Sequence, residues 1–340
     1  MAELVDDRSS LLEGLTEAAL IASDRRIIAA NAAARALLGE EIEGLALEQA
    51  IAHPAALEAL DRAGYDAAEG VELSGLGGRR RHWLMRTARL RGGMSLIRFL
   101  DRSESRAAEQ MRVDFVANAS HELRTPLATL IGYTETLREQ ADELDSGTRE
   151  RFLSVVHDEA RRMQRVVEDL ISLSRIEAEK FTAPTEAITL DPLIDQALEG
   201  ERRVAGERGS ALIRDVAPNL PRVAGDRGQL LQLFDNLLSN ALRYGEPGTP
   251  VTVAARAEGG MVRLSIADQG EGIAPEHIKR VTERFYRVDT SRSRALGGTG
   301  LGLSIVKHIV ERHRGRLSID SELGKGTTVH VLLPVADTAS

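Results

Sequence analysis

Between residues 104 and 179 one apolar stripe constrains the fold more than any other feature. Val116, Leu123, Leu130 and Leu137 recur every seven residues with Leu127 beside them. After a polar break from Asp142 to Thr148 come Phe152, Val156, Met163, Val166, Leu170 and Leu173 at three- and four-residue steps. A repeat of this period keeps its side chains on one helix face, so the segment predicts two long helices forming a hairpin. Two helices cannot cover such a seam, and the simplest solution is a four-helix bundle made by two copies of the chain. Taken alone, the seam is equally that of a coiled-coil dimeriser with no chemistry of its own.

At 340 residues the chain exceeds one ordinary core. Residues 1–103 mix apolar runs with turn signals: Ala19–Ala22, the turn Ser23–Arg26, Ile27–Asn31, then Trp83–Met85 and Met94–Leu100. Strand, turn, strand, then Asn31–Gly39 resembles the opening of a PAS sensor domain. Residues 104–180 form the helical hairpin. Phe181–Asp191, with Pro184 and Pro192 at its end, reads as a linker and first strand. Residues 187–335 alternate helix and strand patterns, with candidate strands at 251–254, 262–266, 317–319 and 328–333, and 336–340 reads as a tail. The expected architecture is multidomain α+β.

With 42% hydrophobic and 28% charged residues the composition is that of a soluble globular protein. A net charge of -8 argues against nucleic acid as a direct partner. The cluster Arg79, Arg80, Arg81, Arg86, Arg89 and Arg91 is read as a solvated strand and turn surface. Cysteine is absent, which excludes disulfides and thiolate metal sites and suits a reducing compartment. No apolar run reaches the ~18 residues of a membrane span, and no signal peptide is evident. A cytoplasmic location is expected, with an anchor upstream of this chain left open.

Four motifs carry chemistry. His121 lies on the first helix, within Asn118-Ala119-Ser120-His121-Glu122-Leu123-Arg124-Thr125-Pro126-Leu127. In the C-terminal domain, Gln229–Tyr244 has the apolar spacing of an amphipathic helix, which puts Asn236 and Asn240 on one face. Their amide oxygens are hard neutral ligands suited to Mg2+ or to phosphate-bound water. Asp268-Gln269-Gly270-Glu271-Gly272-Ile273 follows an apolar strand; its glycines permit close backbone approach and Asp268 offers an acceptor for an exocyclic amine. Gly297-Gly298-Thr299-Gly300-Leu301-Gly302 opens a helix, where backbone amides can hold phosphate oxygens. Neither the P-loop spacing, nor the dinucleotide-binding spacing, nor the protein-kinase signature set is present.

In this order the last three blocks resemble the N, G1 and G2 boxes of the histidine-kinase branch of the ATPases that include Hsp90 and DNA gyrase, and Glu283-Arg284-Phe285-Tyr286-Arg287-Val288 resembles the F box. The resemblance covers Arg106 to Pro334. The run Gln110–Asn118 leading into His121 is similar to the phosphate-regulon sensor kinases. The resemblance implies a sensor histidine kinase with three parts: a PAS-like α/β domain, a dimeric four-helix-bundle histidine phosphotransfer domain, and an α/β sandwich ATP-binding domain of the GHKL (Bergerat) fold.

By the same resemblance ATP binds with Asp268 on adenine, Tyr244 lining the base pocket, and Asn236 and Asn240 arranging Mg2+ and the phosphates. Gly270, Gly272, Ile273, Gly298, Thr299, Gly300, Leu301 and Gly302 complete the nucleotide site. Arg243 stands where the family often has lysine, and a guanidinium fork is not equivalent to an ammonium. The stretch Arg287–Leu296 is the expected lid, with Arg287 placed to neutralise charge on the γ-phosphate. His121 is the phosphoacceptor, and Glu122 orients it or accepts its proton. Thr125, one turn on, is placed to position water for dephosphorylating a partner, and Pro126 is expected to bend the helix. Implied partners are a second copy of the chain through residues 104–180 and the receiver domain of a response regulator, PhoB-like if the subfamily holds, towards which the protein is also expected to be a phosphatase. Two other classes stay open: a catalytically silent scaffold binding a partner through its bundle, and a conformational ATPase.

Overall fold

Asp24 and Arg25 both adopt positive φ, 49° and 63°, the left-handed pair that a two-residue hairpin turn demands. They join β1 (Ala18–Ser23) to β2 (Arg26–Ala30), and the Arg25 guanidinium is held by Glu48 and Asp61. The computed structural model describes residues 11–61, 70–78, 81–140, 143–179, 181–288 and 298–336. Arg79, Arg80, Asp142, lid residues 289–296, Gly297 and tail residues 337–340 lie outside them. By packing, the chain divides into two units, Met1–Asp114 and Phe115–Ser340.

In the first unit β1 and β2 join β3 (Val71–Ser74), β4 (His82–Arg89) and β5 (Met94–Asp101) in an antiparallel sheet of order β2-β1-β5-β4-β3. Helices α1 (Ala32–Leu38), α2 (Leu47–Ala50) and α3 (Pro54–Asp61) intervene between β2 and β3. They close one core around Leu20, Ile27, Ala34, Ile51, Leu60, Met85, Ile97 and Phe99. The alternate residues Ala19 and Ile21 of β1 join Leu12 and Ala29 in a smaller cluster. Covering both faces explains why the strand is apolar throughout instead of alternating. Asn31 caps α1 and is almost wholly buried. Its Oδ1 accepts from the Ala19 and Ala34 amides at 3.0 and 2.9 Å, and its Nδ2 donates to the carbonyls of Leu12, Leu15 and Glu17.

In the second unit the hairpin consists of α4 (Ser103–Glu139, whose first residues belong to the preceding unit) and α5 (Ser146–Ala178). Asp145 caps α5, accepting from the Thr148 amide at 2.9 Å and its hydroxyl at 2.6 Å. Tyr133 and Phe152 meet edge to face across the hairpin, 4.9 Å between centroids. Val166 and Leu173 are buried, whereas Val116, Leu127, Ile131, Leu153 and Ile171 remain about half exposed or more on a single chain.

A five-stranded sheet of order β11-β12-β10-β9-β7 follows: β7 (Leu212–Val216), β9 (Val251–Glu258), β10 (Met261–Ala267), β11 (Arg316–Glu322) and β12 (Gly326–Pro334). Its pairings are antiparallel except β7 with β9. Helices α6 (Leu190–Glu207), α7 (Arg227–Tyr244) and α9 (Gly302–Arg312) are amphipathic and share one core with the sheet, in which Leu193, Phe234, Leu237, Val253, Leu264, Ile305 and Val331 meet. A fully buried aliphatic or phenyl side chain contributes about 1.5–3 kcal/mol. Leu173 and Ile176 of α5 belong to the same core. A short pair, β6 (Glu186–Ile188) with β8 (Val223–Gly225), and the single turn α8 (Pro275–Ile278) complete the domain. Buried His313 ties two helix ends: its Nδ1 donates to the Ile309 carbonyl at 2.8 Å, so Nε2 must accept from the Asp226 amide at 3.0 Å. This neutral tautomer is what burial favours, holding the imidazole pKa below its ordinary value.

Candidate functional site

α7 turns Leu230, Leu233, Phe234, Leu237, Leu238, Ala241 and Leu242 into the core, capped at its start by Asp226. That phase leaves Asn236 and Asn240 together at the edge of the buried face, both partly buried. The Asn236 amide donates to the Gln232 carbonyl at 3.0 Å, and its oxygen faces the start of α9. Gly302, the first residue of α9, packs directly here: a Cβ on it would stand 2.9 Å from Asn236 Oδ1 and 3.6 Å from Asn240 Nδ2.

Asp268 follows β10, and its Oδ1 accepts from the Gly270 and Thr327 amides at 2.9 and 3.3 Å. Burial pushes this carboxyl above its ordinary range, and the two amides pull it back. Gly270 bridges to Gly245 at the end of α7, where a Cβ would meet the Tyr244 carbonyl oxygen at 2.1 Å. Gly272 takes φ 72° with the Glu322 carbonyl equally close to its missing Cβ, and the Ile273 amide donates to Ser321 Oγ at 2.8 Å. The glycines here are therefore steric requirements, since side chains would push this loop off the end of α7 at Gly270 and off the end of β11 at Gly272.

The third block closes the site. Gly298 is buried, and a Cβ there would lie 3.3 Å from Tyr244 Oη, 3.5 Å from Arg243 Nη1 and 3.6 Å from Arg287 Nη2. Gly300 has φ 73°; its carbonyl accepts from the Phe285 amide at 2.8 Å. Thr299 Oγ1 accepts from the Leu301 amide at 3.2 Å, and Arg287 donates to the Gly298 carbonyl at 2.6 Å. Arg243 loses basicity through burial, with Tyr244 opposing that loss. Asn236, Asn240, Arg243, Tyr244, Asp268 and residues 298–302 are thus gathered round one backbone-lined cradle. Neutral amide oxygens, an acceptor at its rim and glycine backbone are a donor set that fits a nucleotide with its divalent ion.

His121 is exposed on α4. Glu122 is paired with two arginines, Arg162 of α5 at 3.2 Å and Arg287 at 3.7 Å. Arg162 is itself buried and lies 3.7 Å from Glu159. Thr125 Oγ1 leans back to the His121 carbonyl at 3.5 Å, and α4 runs on through Pro126. Arg287 therefore reaches both the glycine loop and the neighbour of His121. Two residues of this region had no motif to mark them, Arg162 and Asp169, which lie in charged helical runs. Arg284, from the F-box-like block, pairs with Glu177 while stacking over Phe115, 5.3 Å from its centroid. Phe115 also packs on Phe285 with 5.9 Å between centroids.

Comparison with known proteins agrees with this geometry. Residues 111–179 match the His Kinase A (phospho-acceptor) domain, and residues 225–337 match the histidine kinase-, DNA gyrase B-, and HSP90-like ATPase. The chain is 39% identical over 234 residues to the sensor-like histidine kinase SenX3 of Mycolicibacterium smegmatis, covering 69% of this chain and 60% of the relative. It is 40% identical over 220 residues to the phosphate regulon sensor protein PhoR of Pseudomonas aeruginosa, covering 65% and 49%. It is also similar to full-length ShkA, solved in complex with AMPPNP, with a TM-score of 0.50 and 29% identity over 67% of this chain and 47% of that one. The chain thus spans between half and three fifths of the curated relatives' length. Among the described residues no helix is long and apolar enough to cross a membrane. Since the phosphoacceptor hairpin and the ATPase domain are matched in one chain, in that order, and fold against a shared core, this protein belongs to the sensor histidine kinase family of two-component systems.

Proposed function

We propose that this protein is an ATP-dependent protein-histidine kinase that autophosphorylates His121 and passes the phosphoryl group to an aspartate of a response regulator. The observation that carries the reading is the convergence of Asn236, Asn240, Asp268 and Gly298–Gly302 on one cradle, in a chain whose hairpin presents an exposed histidine. In this reading Asp268 receives the adenine amine, Tyr244 and Ile273 line the base, and Gly270 and Gly272 let the backbone come close. The amides of Gly298, Thr299, Gly300, Leu301 and Gly302 hold phosphate oxygens at the start of α9. Asn236 and Asn240 would hold Mg2+, which when bound neutralises phosphate charge. Arg243 and Arg287 add positive charge at the same end. One ring nitrogen of His121 attacks the γ-phosphorus of ATP, the bond from that phosphorus to the oxygen bridging to the β-phosphate breaks and ADP leaves, while the proton on the other ring nitrogen is taken by Glu122. That role requires Glu122 to turn from Arg287 towards the imidazole.

We assign residues 1–103 to a PAS-like sensor domain, 104–180 to dimerisation and phosphotransfer, 187–335 to ATP binding and 336–340 to a tail. The sheet order β2-β1-β5-β4-β3, with α1, α2 and α3 among the described residues between β2 and β3, supports the PAS-like assignment. The half-exposed Leu127, Ile131, Leu153 and Ile171 support a homodimer through the hairpin. The regulator is read as PhoB-like, with Thr125 positioning water for its dephosphorylation, and the chain acts in the cytoplasm.

The test is incubation with γ-labelled ATP and Mg2+. Acid-labile, alkali-stable label is expected on the wild type and absent from His121→Ala, which retains nucleotide binding, and from Asn240→Ala. Label persisting in His121→Ala refutes the assignment, and steady phosphate release independent of His121 makes the protein a conformational ATPase instead.

A further inference from the structure

Asp169 belongs to none of the motif blocks, yet it touches the loop that would hold phosphate. From α5 its Oδ2 accepts the Thr299 hydroxyl at 2.8 Å. Thr299 Oγ1 at the same time accepts the Leu301 amide, so one hydroxyl joins the hairpin, the glycine loop and the start of α9. The charged groups facing the carboxylate are Glu168 and Arg165 from its own helix and Arg243 from α7. Burial raises the Asp169 pKa, opposed first by the Thr299 hydrogen bond; Glu168 adds to the rise and the two arginines offset it. An anion is thus held partly desolvated, on an element outside the ATPase domain, beside a loop built to receive anions.

A hydroxyl has one proton to give. A phosphate oxygen arriving at Thr299 needs that proton, and it also brings negative charge beside a carboxylate already short of water. Like charges in a partly dehydrated site repel strongly. We propose that Asp169 is a positioning residue acting through Thr299, a latch whose carboxylate competes with the nucleotide's phosphates for the loop. Nucleotide binding then loosens α5 from the glycine loop, and by reciprocity any loosening of that contact tightens nucleotide binding. The inference rests on the nucleotide site proposed above and adds a coupling between that site and the hairpin.

The experiment is binding of Mg2+ and AMPPNP to the full chain by titration calorimetry, for wild type, Asp169→Ala, Asp169→Asn, and each change combined with Thr299→Val. Asp169→Ala is expected to lower Kd about tenfold, the scale of one hydrogen bond to a charged group. Asp169→Asn, which keeps an acceptor but loses the charge, gives a smaller gain. Neither change has an effect in the Thr299→Val background. KM for ATP falls with Kd, and kcat does not rise in proportion. Unchanged or weaker binding by Asp169→Asn with a wild-type melting temperature overturns the latch while leaving the nucleotide site standing. No binding by wild type or any variant overturns both.

Discussion

Gly270→Ala should injure the site through space alone. The new methyl would stand 2.1 Å from the Tyr244 carbonyl oxygen, 2.9 Å from its carbonyl carbon and 3.0 Å from Asp268 Oδ1. Two of these atoms are backbone at the end of α7 and cannot swing aside. The bridge between Gly245 and Gly270 must open, and with it the 2.9 Å bond from the Gly270 amide to Asp268. Overpacking of this kind costs about 1–3 kcal/mol of stability. Misplacing Asp268 removes one hydrogen bond to a charged group, about 1.5–3 kcal/mol, so nucleotide affinity should fall roughly tenfold to a hundredfold. Gly200→Ala is the matched control: it lies in α6 with nothing within 4 Å of the added carbon. There the substitution should stabilise by about 0.5–1 kcal/mol and leave affinity unchanged. Thermal unfolding and titration with a nonhydrolysable nucleotide report both quantities. Wild-type affinity and melting temperature in Gly270→Ala would show that the close approach constrains nothing.

Substitutions to glutamate in the seam address assembly: Leu127→Glu or Ile131→Glu, each nearly half exposed on one chain, should convert a sedimenting dimer to monomer, and an unchanged sedimentation coefficient would place the seam elsewhere. Because burial lowers the His313 pKa, the stability tied to its neutral form is fully present above the unfolded pKa of about 6.5 and is lost as pH falls below it; the urea midpoint should drop between pH 7.5 and pH 5.5 more steeply in wild type than in His313→Gln. Arg162→Met removes the 3.2 Å partner of Glu122 and should lower autophosphorylation kcat about tenfold with KM for ATP unchanged, a loss near 1.5 kcal/mol, with partial recovery in Arg162→Lys. A rise in KM instead would count against a role exerted through Glu122.

Periodicity and punctuation carried much of the architecture. The seven-residue stripe located α4 and the three- and four-residue steps after it located α5, the turn Ser23–Arg26 between two apolar runs marked the opening of the first sheet, and the apolar phase of α7 put Asn236 and Asn240 side by side. β7 escaped because Leu212-Ile213-Arg214-Asp215-Val216 is an edge strand with three exposed central residues, so nothing alternates. β3 and β8 are four and three residues long, too short for a period to register. The close packing of the glycine blocks was legible because glycines that must admit a neighbouring backbone leave a mark at fixed spacing. The pairings of Glu122 with Arg162 and of Thr299 with Asp169 left none, since each joins residues 40 or 130 positions apart by tertiary packing.

Asn31 gathers five backbone groups from Leu12, Leu15, Glu17, Ala19 and Ala34 onto one side chain. Segments joined in this way cannot detach singly without stranding a buried amide. The stretch before β1, the strand and the first turn of α1 should therefore open as one cooperative unit. The Ala19 and Ala34 amides, fifteen residues apart but bound to the same oxygen, should exchange with solvent deuterium at a common free energy, and Asn31→Ala should release them together.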